Sequence, residues 1–233
     1  VALSANGSFV FTPAAGFAGT TSFTYRVSDG TAVSAPVVVT LAVAAPADPS
    51  PTLIDRNTGA PAPGFVPFPG ANVPVDTAVG DVTGDGTADV VAGAGLGGAP
   101  VVKIFDGTTG AEAQSFFAYD PSFRGGLTVA VGDVTGDGVA DIVTGTGPGG
   151  APHVKVFDGR TGAEVASFFA FDLSFRGGVS VAVADVNGDG ALDVVAGAGF
   201  GGAPHVKVFD GAGGAELASF FAFDASFRGG VLV

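Results

Sequence analysis

One acidic nonapeptide occurs three times at a constant spacing of 52 residues. It reads Asp81-Val-Thr-Gly-Asp85-Gly-Thr-Ala-Asp89, then Asp133-Val-Thr-Gly-Asp137-Gly-Val-Ala-Asp141, then Asp185-Val-Asn-Gly-Asp189-Gly-Ala-Leu-Asp193. Carboxylates at positions 1, 5 and 9 around an Asp-Gly turn suit a hard cation, because glycine folds the loop back so that side-chain oxygens converge. An all-oxygen ligand set selects Ca²⁺ over zinc or copper. Thr83, Thr135 and Asn187 at position 3 can add a hydroxyl or amide oxygen. The carbonyls of Thr87, Val139 and Ala191 at position 7 can add a backbone ligand. Each loop is therefore expected to hold one Ca²⁺, three in all, completed by water.

Position 12 is Ala92, Thr144 and Ala196, which excludes an EF-hand, since that loop ends in a bidentate Glu. The bland alternative is a set of Asp-Gly hairpin turns whose side chains only cap the backbone. Capping accounts for one Asp per loop and not for three. With three carboxylates per loop the expected dissociation constant is roughly 10⁻⁴ to 10⁻³ M, a range filled outside cells and empty in cytosol.

The rest of the composition fits that address. The chain has no Cys and a formal charge of -13. Three divalent ions would cancel close to half of that charge. Without a basic cluster to release counterions, nucleic acid is not an expected partner. The longest apolar run, Val37 to Ala45, contains Thr40 and is too short to span a bilayer, so no membrane insertion is expected. No signal peptide is visible, and a chain that opens on Val1 and contains no Met reads as a fragment.

The loops need a scaffold, and the 52-residue period supplies it. Residues 1–44 lack the repeat, residues 45–51 are a Pro-rich linker, and residues 52–233 form the repeat region. In the unit from Leu127, Leu127, Val129 and Val131 alternate with Thr128, Ala130 and Gly132, which predicts a buried strand. After the acidic loop come a second strand from Asp141 to Thr146, a third from His153 to Asp158, and a fourth from Glu164 to Phe171. On the fourth, Phe169 and Phe171 are expected on one face and Phe168 on the other. Four short antiparallel strands per unit with no helical period predict an all-β chain, a partial β-propeller whose blades cover about 75–120, 127–172 and 179–224. Ahead of them, Leu53 to Gly59 matches a third strand, with Phe65 to Phe68 as a degenerate fourth. Behind them, Val231-Leu-Val begins a new first strand. About three and a half blades do not close a ring, so either the natural chain continues or two copies combine as a dimer.

The unit resembles the FG-GAP or VCBS-type repeat, the propeller blade of integrin α-subunits and of many bacterial surface proteins. The acidic loops match that family's calcium loop except at position 3, where Thr83, Thr135 and Asn187 stand in place of Asp. Gly125-Gly126, Gly177-Gly178 and Gly229-Gly230 sit where the family has Phe-Gly, with Phe123, Phe175 and Phe227 two residues earlier to take over the packing. The family's Gly-Ala-Pro follows the second strand after a longer turn, at Gly98-Ala-Pro100, Gly150-Ala-Pro152 and Gly202-Ala-Pro204. The resemblance covers about 52–233. It implies Ca²⁺ in the hairpin loops between first and second strands and a role in adhesion or recognition.

The first 44 residues carry hairpin dipeptides at Asn6-Gly7 and Asp29-Gly30 between alternating runs around Phe9 and Phe11, Phe23 to Val27, and Val37 to Val43. The string Asn6 to Gly30 resembles the C-terminal half of bacterial cadherin-like, Ig-like repeats found in tandem in large adhesins. That implies an Ig-like β-sandwich fragment and a modular, exported parent protein.

The function expected from this reading is a non-enzymatic calcium-binding module of a large secreted or cell-surface bacterial protein. Ca²⁺ would stiffen the blades, which recognise an unidentified protein or glycan. The alternatives are a lectin or the accessory propeller of a polysaccharide-active enzyme. A glycosidase needs two carboxylates across a cleft, yet most of the remaining acids recur with the blades, as in Asp106, Asp158 and Asp210. The absence of Trp and only two Tyr leave few platforms for sugar stacking. Lys103, Lys155 and Lys207 read as a solvated face or as partners of nearby carboxylates. Arg124, Arg176 and Arg228 read as a contact to a neighbouring blade, with a basic ring as the alternative.

Overall fold

In the computed structural model the described residues are 2–3, 9–10, 19–26, 33–43, 66–211 and 214–233. They contain strands and no helix, as the all-β reading expects. The chain divides into two compact units, residues 1–48 and 49–233.

In the first unit, β1 (Ala2–Leu3) pairs antiparallel with β2 (Phe9–Val10), and β3 (Gly19–Tyr25) with β4 (Val37–Val43). The strand at Ala2–Leu3 was not anticipated. Both predicted hairpin turns and the Leu53–Gly59 segment lie outside the described residues.

The second unit is built from three sheets of identical plan. Strands β5 (Val75–Gly80), β6 (Asp89–Ala94), β7 (Val101–Phe105) and β8 (Glu112–Phe117) form the first as an antiparallel meander. Strands β9 (Leu127–Gly132), β10 (Asp141–Thr146), β11 (His153–Phe157) and β12 (Glu164–Phe169) form the second. Strands β13 (Val179–Ala184), β14 (Asp193–Ala198), β15 (His205–Phe209) and β16 (Glu216–Phe221) form the third. Each sheet is one blade, and the first strand of each lies against the first strand of the next.

The core lies between blades. Val91, Val102 and Ile104 of the first blade are buried against Leu127, Ile142 and Phe157 of the second. The same layer recurs between the second and third blades. The ring of Phe116 meets Phe157 at 4.7 Å, and Phe168 meets Phe209 at 4.6 Å. Such tilted pairs add stabilisation of about 0.5–1.5 kcal/mol each beyond the area they bury. A polar bond on the first strand adds register: Asp76 Oδ2 accepts from Val129 N at 2.9 Å, and Thr128 Oγ1 donates to Val179 O at 2.8 Å.

Three details differ from the sequence expectations. The fourth strand of the second blade ends at Phe169, so alternation stops there. Phe168 and Phe171 both meet the third blade, while Phe169 stacks beside His153 at 4.5 Å. Residues 66–68 form no strand, because Pro67 and Pro69 lack the N–H a ladder needs. Phe68 instead packs on the leading side of the first blade. Val231–Val233 is not a strand either, although Val231 N donates to Ala198 O and Val231 O accepts from Ser180 Oγ, as Val179 O accepts from Thr128.

Candidate metal centre

Each acidic nonapeptide closes the hairpin between the first and second strands of a blade. In the first, Asp81 follows β5 directly, and Asp89 opens β6 paired with Gly80. Asp81 Oδ1 accepts the N–H groups of Gly84 at 2.7 Å and Asp85 at 3.1 Å, and Oδ2 accepts that of Gly86 at 2.8 Å. Those glycines are required because φ is +76° at Gly84 and +86° at Gly86. Asp89 is fully buried. Its Oδ2 accepts from Val82 N at 3.0 Å and Thr83 N at 2.9 Å, and its Oδ1 from Gly107 N at 2.9 Å in the hairpin between β7 and β8. Asp85 sits exposed at the tip and accepts from Thr87 N at 2.7 Å.

The pattern repeats. Asp133 accepts from Gly136, Asp137 and Gly138, and Asp185 from Gly188 and Gly190. Buried Asp141 accepts from Val134 and Thr135, and buried Asp193 from Val186 and Asn187. Exposed Asp137 and Asp189 accept from the N–H groups of Val139 and Ala191. Capping thus reaches further than the sequence argument allowed, since all three carboxylates of a loop receive backbone donors. Position 5 takes one backbone N–H in each loop where positions 1 and 9 take two or three, and side chains add a bond from Thr108 Oγ1 to Asp85 at 3.5 Å and one from Asn187 to Asp189.

Position 3 differs among the loops. Thr83 Oγ1 is buried with no hydrogen-bond partner, an unmet oxygen beside the first acidic loop. Asn187 donates from Nδ2 to Asp189 Oδ2 at 2.9 Å and accepts Asp189 N on Oδ1 at 2.8 Å. At position 7, the Thr87 hydroxyl accepts from Thr108 Oγ1 at 3.2 Å, Val139 is buried, and Ala191 is half-buried. Burial pushes the Asp141 carboxyl above its usual range, opposed by its bonds to Thr135 and Val134. The Ala191 N–H, then the Asn187 side chain, hold Asp189 below it.

As the loops stand, no three carboxylates among the described residues are gathered closely enough to hold an ion. The donor set is nonetheless that of a hard cation: only oxygens, an exposed carboxylate at position 5 with one backbone donor and, in the first loop, an orphaned buried hydroxyl. The residues fit Ca²⁺ in kind.

Arg160 was missed by sequence reasoning. A Cβ placed on Gly84 would lie 2.9 Å from Arg160 Nη2, so the second blade's hairpin brings a guanidinium to the first acidic loop. The available signal was a break in symmetry, since the equivalent residues are Thr108 and Ala212.

The other recurrent side chains are structural. Lys103, Lys155 and Lys207 pair with Glu112, Glu164 and Glu216 at 2.6–2.7 Å across the outer strands. The expectation that the arginines contact a neighbouring blade is corrected. Arg124 Nη1 folds back onto the carbonyls of Pro121 and Phe123, and Arg176 and Arg228 do the same. The arginine backbone makes the inter-blade bond: Arg124 O accepts Gly97 N, and Arg176 O accepts Gly149 N, both at 2.8 Å.

His153 and His205 meet Ser167 and Ser219 through Nε2 at 2.7 Å. Burial, then Lys155 or Lys207, holds both imidazoles below their usual pKa. The unfolded chain then takes up protons first. Stability present above the unfolded value near 6.5 is lost as pH falls through the folded values. The melting temperature is expected to drop between pH 7.5 and 5.5, and a His153→Gln, His205→Gln double variant to drop less. Equal drops in both proteins would refute this linkage.

Comparison with known proteins agrees with the architecture. Residues 1–42 match the bacterial Ig domain and residues 177–215 the FG-GAP repeat, a span that contains the third acidic loop. Integrin alpha-V of Gallus gallus is 37% identical over 84 residues, which is 35% of this chain and 8% of that protein. Among solved structures, the rhamnogalacturonan lyase YesW aligns with a TM-score of 0.50 at 16% identity, over 93% of this chain and 45% of its own. The exotype rhamnogalacturonan lyase YesX aligns with a TM-score of 0.51 at 15% identity, over 88% and 42%. At such identity the likeness is one of fold, and this chain spans less than half the length of those enzymes.

Proposed function

We propose, for a chain that carries a bacterial Ig domain and FG-GAP repeats, that it is a non-catalytic, calcium-stiffened recognition module of an extracellular or cell-surface protein. The observation that carries the reading is the first acidic loop, where a buried, partnerless Thr83 hydroxyl adjoins an acidic turn whose exposed Asp85 takes a single backbone N–H. Asp81, Thr83, Asp85, the Thr87 carbonyl and Asp89 would hold the ion there. Asp133, Thr135, Asp137, Val139 and Asp141 would do so in the second loop, and Asp185, Asn187, Asp189, Ala191 and Asp193 in the third. Bound Ca²⁺ would supply charge neutralisation and cross-link the loop to its strands. Its effect is on stiffness and stability, and a protein or glycan is the ligand class for the blades. A non-catalytic role is supported by the acids outside the loops, most of which recur from blade to blade where a catalytic pair would be unique.

The test is thermal unfolding in EDTA and across a Ca²⁺ titration. A site occupied at ten times its dissociation constant adds about 1.4 kcal/mol, which for a unit of this size raises the midpoint by roughly 3–5 °C. Because position 5 makes few backbone bonds, Asp85→Ala, Asp137→Ala and Asp189→Ala should melt close to the parent in EDTA and each lose part of the calcium-induced rise. A folded chain with no response to calcium would leave the loops as backbone caps alone.

A further inference from the structure

Among the described residues, the first of the three acidic loops alone has a cationic side chain against its turn. A Cβ on Gly84 would meet Arg160 Nη2 at 2.9 Å and Nε at 3.5 Å, whereas one on Gly136 or Gly188 would meet nothing within 4 Å. The packing that brings Arg160 there recurs at the next seam, and the residue does not. A Cβ on Gly159 would lie 2.1 Å from Ala140 O and 2.9 Å from Val82 O, so the backbone of the β11–β12 hairpin is pressed against the start of the first loop. Beside it, Ala140 N donates to Asp81 O at 3.1 Å and ties the second loop to the first. Gly211 meets Leu192 O at 2.1 Å and Val134 O at 2.7 Å in the same way, but the residue after it is Ala212. The second loop has the seat without the charge.

Arg160 is exposed. Among the described residues its guanidinium makes no hydrogen bond and no ion pair, the ion pairs being those of Lys103, Lys155 and Lys207. Asp158, on the same hairpin, already accepts from Thr161 N at 2.7 Å and Thr161 Oγ1 at 2.8 Å. The first loop is where the charge of Arg160 is felt. Gly84 N donates to Asp81 Oδ1 at 2.7 Å, which puts the guanidinium within about 8 Å of that carboxylate. That is inside one Debye length, roughly 10 Å at 0.1 M salt. A fixed positive charge at this distance favours the empty loop with its three carboxylates, and it opposes a divalent ion held by the same oxygens.

We infer that Arg160 is a tethered counter-ion of the first acidic loop and raises the calcium concentration at which that loop fills. This role rests on the calcium reading above. Loops of nearly the same sequence then answer calcium at different concentrations, according to the residue that follows the hairpin glycine of the next blade.

The experiment is a calcium titration of the whole chain in about 10 mM salt, followed by the NMR signals of the Gly86, Gly138 and Gly190 amides, one in each loop. Arg160→Met keeps an apolar stem and removes the charge. In it, half-saturation at Gly86 is expected at about threefold to tenfold less calcium than in the parent, with Gly190 changed less than about twofold. Arg160→Lys, which keeps the charge, should stay within about twofold of the parent at Gly86. Ala212→Arg should shift Gly138 the other way, to more calcium, by a similar factor. In about 0.5 M NaCl these differences should shrink below about twofold. If all three loops fill but Gly86 is unchanged in Arg160→Met, or Gly138 in Ala212→Arg, the role of Arg160 is overturned and the calcium reading stands. A difference as large in high salt as in low would also overturn it, since the effect would not be one of charge. No calcium-dependent shift at any of the three glycines would overturn both.

Discussion

Asp141→Ala is expected to lower the stability of the repeat unit by about 3–5 kcal/mol, in EDTA as in calcium. The carboxylate is 1% exposed, and one of its oxygens takes the N–H groups of Val134 and Thr135 at 3.0 and 2.9 Å. Hydrogen bonds to a charged group contribute about 1.5–3 kcal/mol each, and buried donors left unmatched cost comparable amounts. Relief of the carboxylate's own burial, which raises its pKa, offsets part of this. For a unit of this length the loss corresponds to a fall of roughly 10 °C or more in the midpoint. Asp141→Asn keeps one acceptor oxygen and should lose about half as much. Asp137→Ala, at the exposed tip of the same loop, should lose little in EDTA. Calorimetry of the three variants with and without calcium checks the ranking. If Asp141→Ala and Asp137→Ala cost the same in EDTA, the division between anchoring and ion-seeking carboxylates is wrong.

That division was not legible in the sequence, where the three aspartates of a loop look alike. The 52-residue period, four strands per blade and the hairpin position of the loops were legible, because alternation and Asp-Gly turns are local signals. Burial of position 9 was not, because it depends on the β7–β8 hairpin, whose Gly107 N–H reaches back 18 residues to Asp89. The arginines misled for the same reason. Their recurrence implied a partner in the next blade, but Pro121 O and Phe123 O lie nearer, and the chain spends its Arg124 carbonyl on the neighbour instead. Phe123 did behave as expected. Its ring lies 2.3 Å from where a Cβ on Gly125 would be, so the aromatic has moved two residues along and the first glycine of the pair makes room for it.

The second glycine of that pair sets the other large effect. Gly126 has φ of +72°, and a Cβ there would lie 2.2 Å from the carbonyl carbon of Gly95 and 2.5 Å from Leu96 N, backbone atoms of the preceding blade. A left-handed conformation costs an L-residue about 1–2 kcal/mol. Overpacking adds about 1–3 kcal/mol where the obstacle can yield, and backbone held by the bond from Gly97 N to Arg124 O yields little. Gly126→Ala is therefore expected to destabilise by about 3 kcal/mol or more and to part the first blade from the second. Hydrogen exchange should speed most at Val129 N, whose acceptor Asp76 belongs to the first blade. The equivalent glycines grade the effect, since the nearest backbone atom is 2.6 Å away at Gly230 and 3.1 Å at Gly178. Gly86→Ala, at φ of +86° with open space around it, isolates the conformational part and should cost only about 1 kcal/mol. A Gly126→Ala chain no less stable than Gly86→Ala would mean that the blades are not held at that backbone contact.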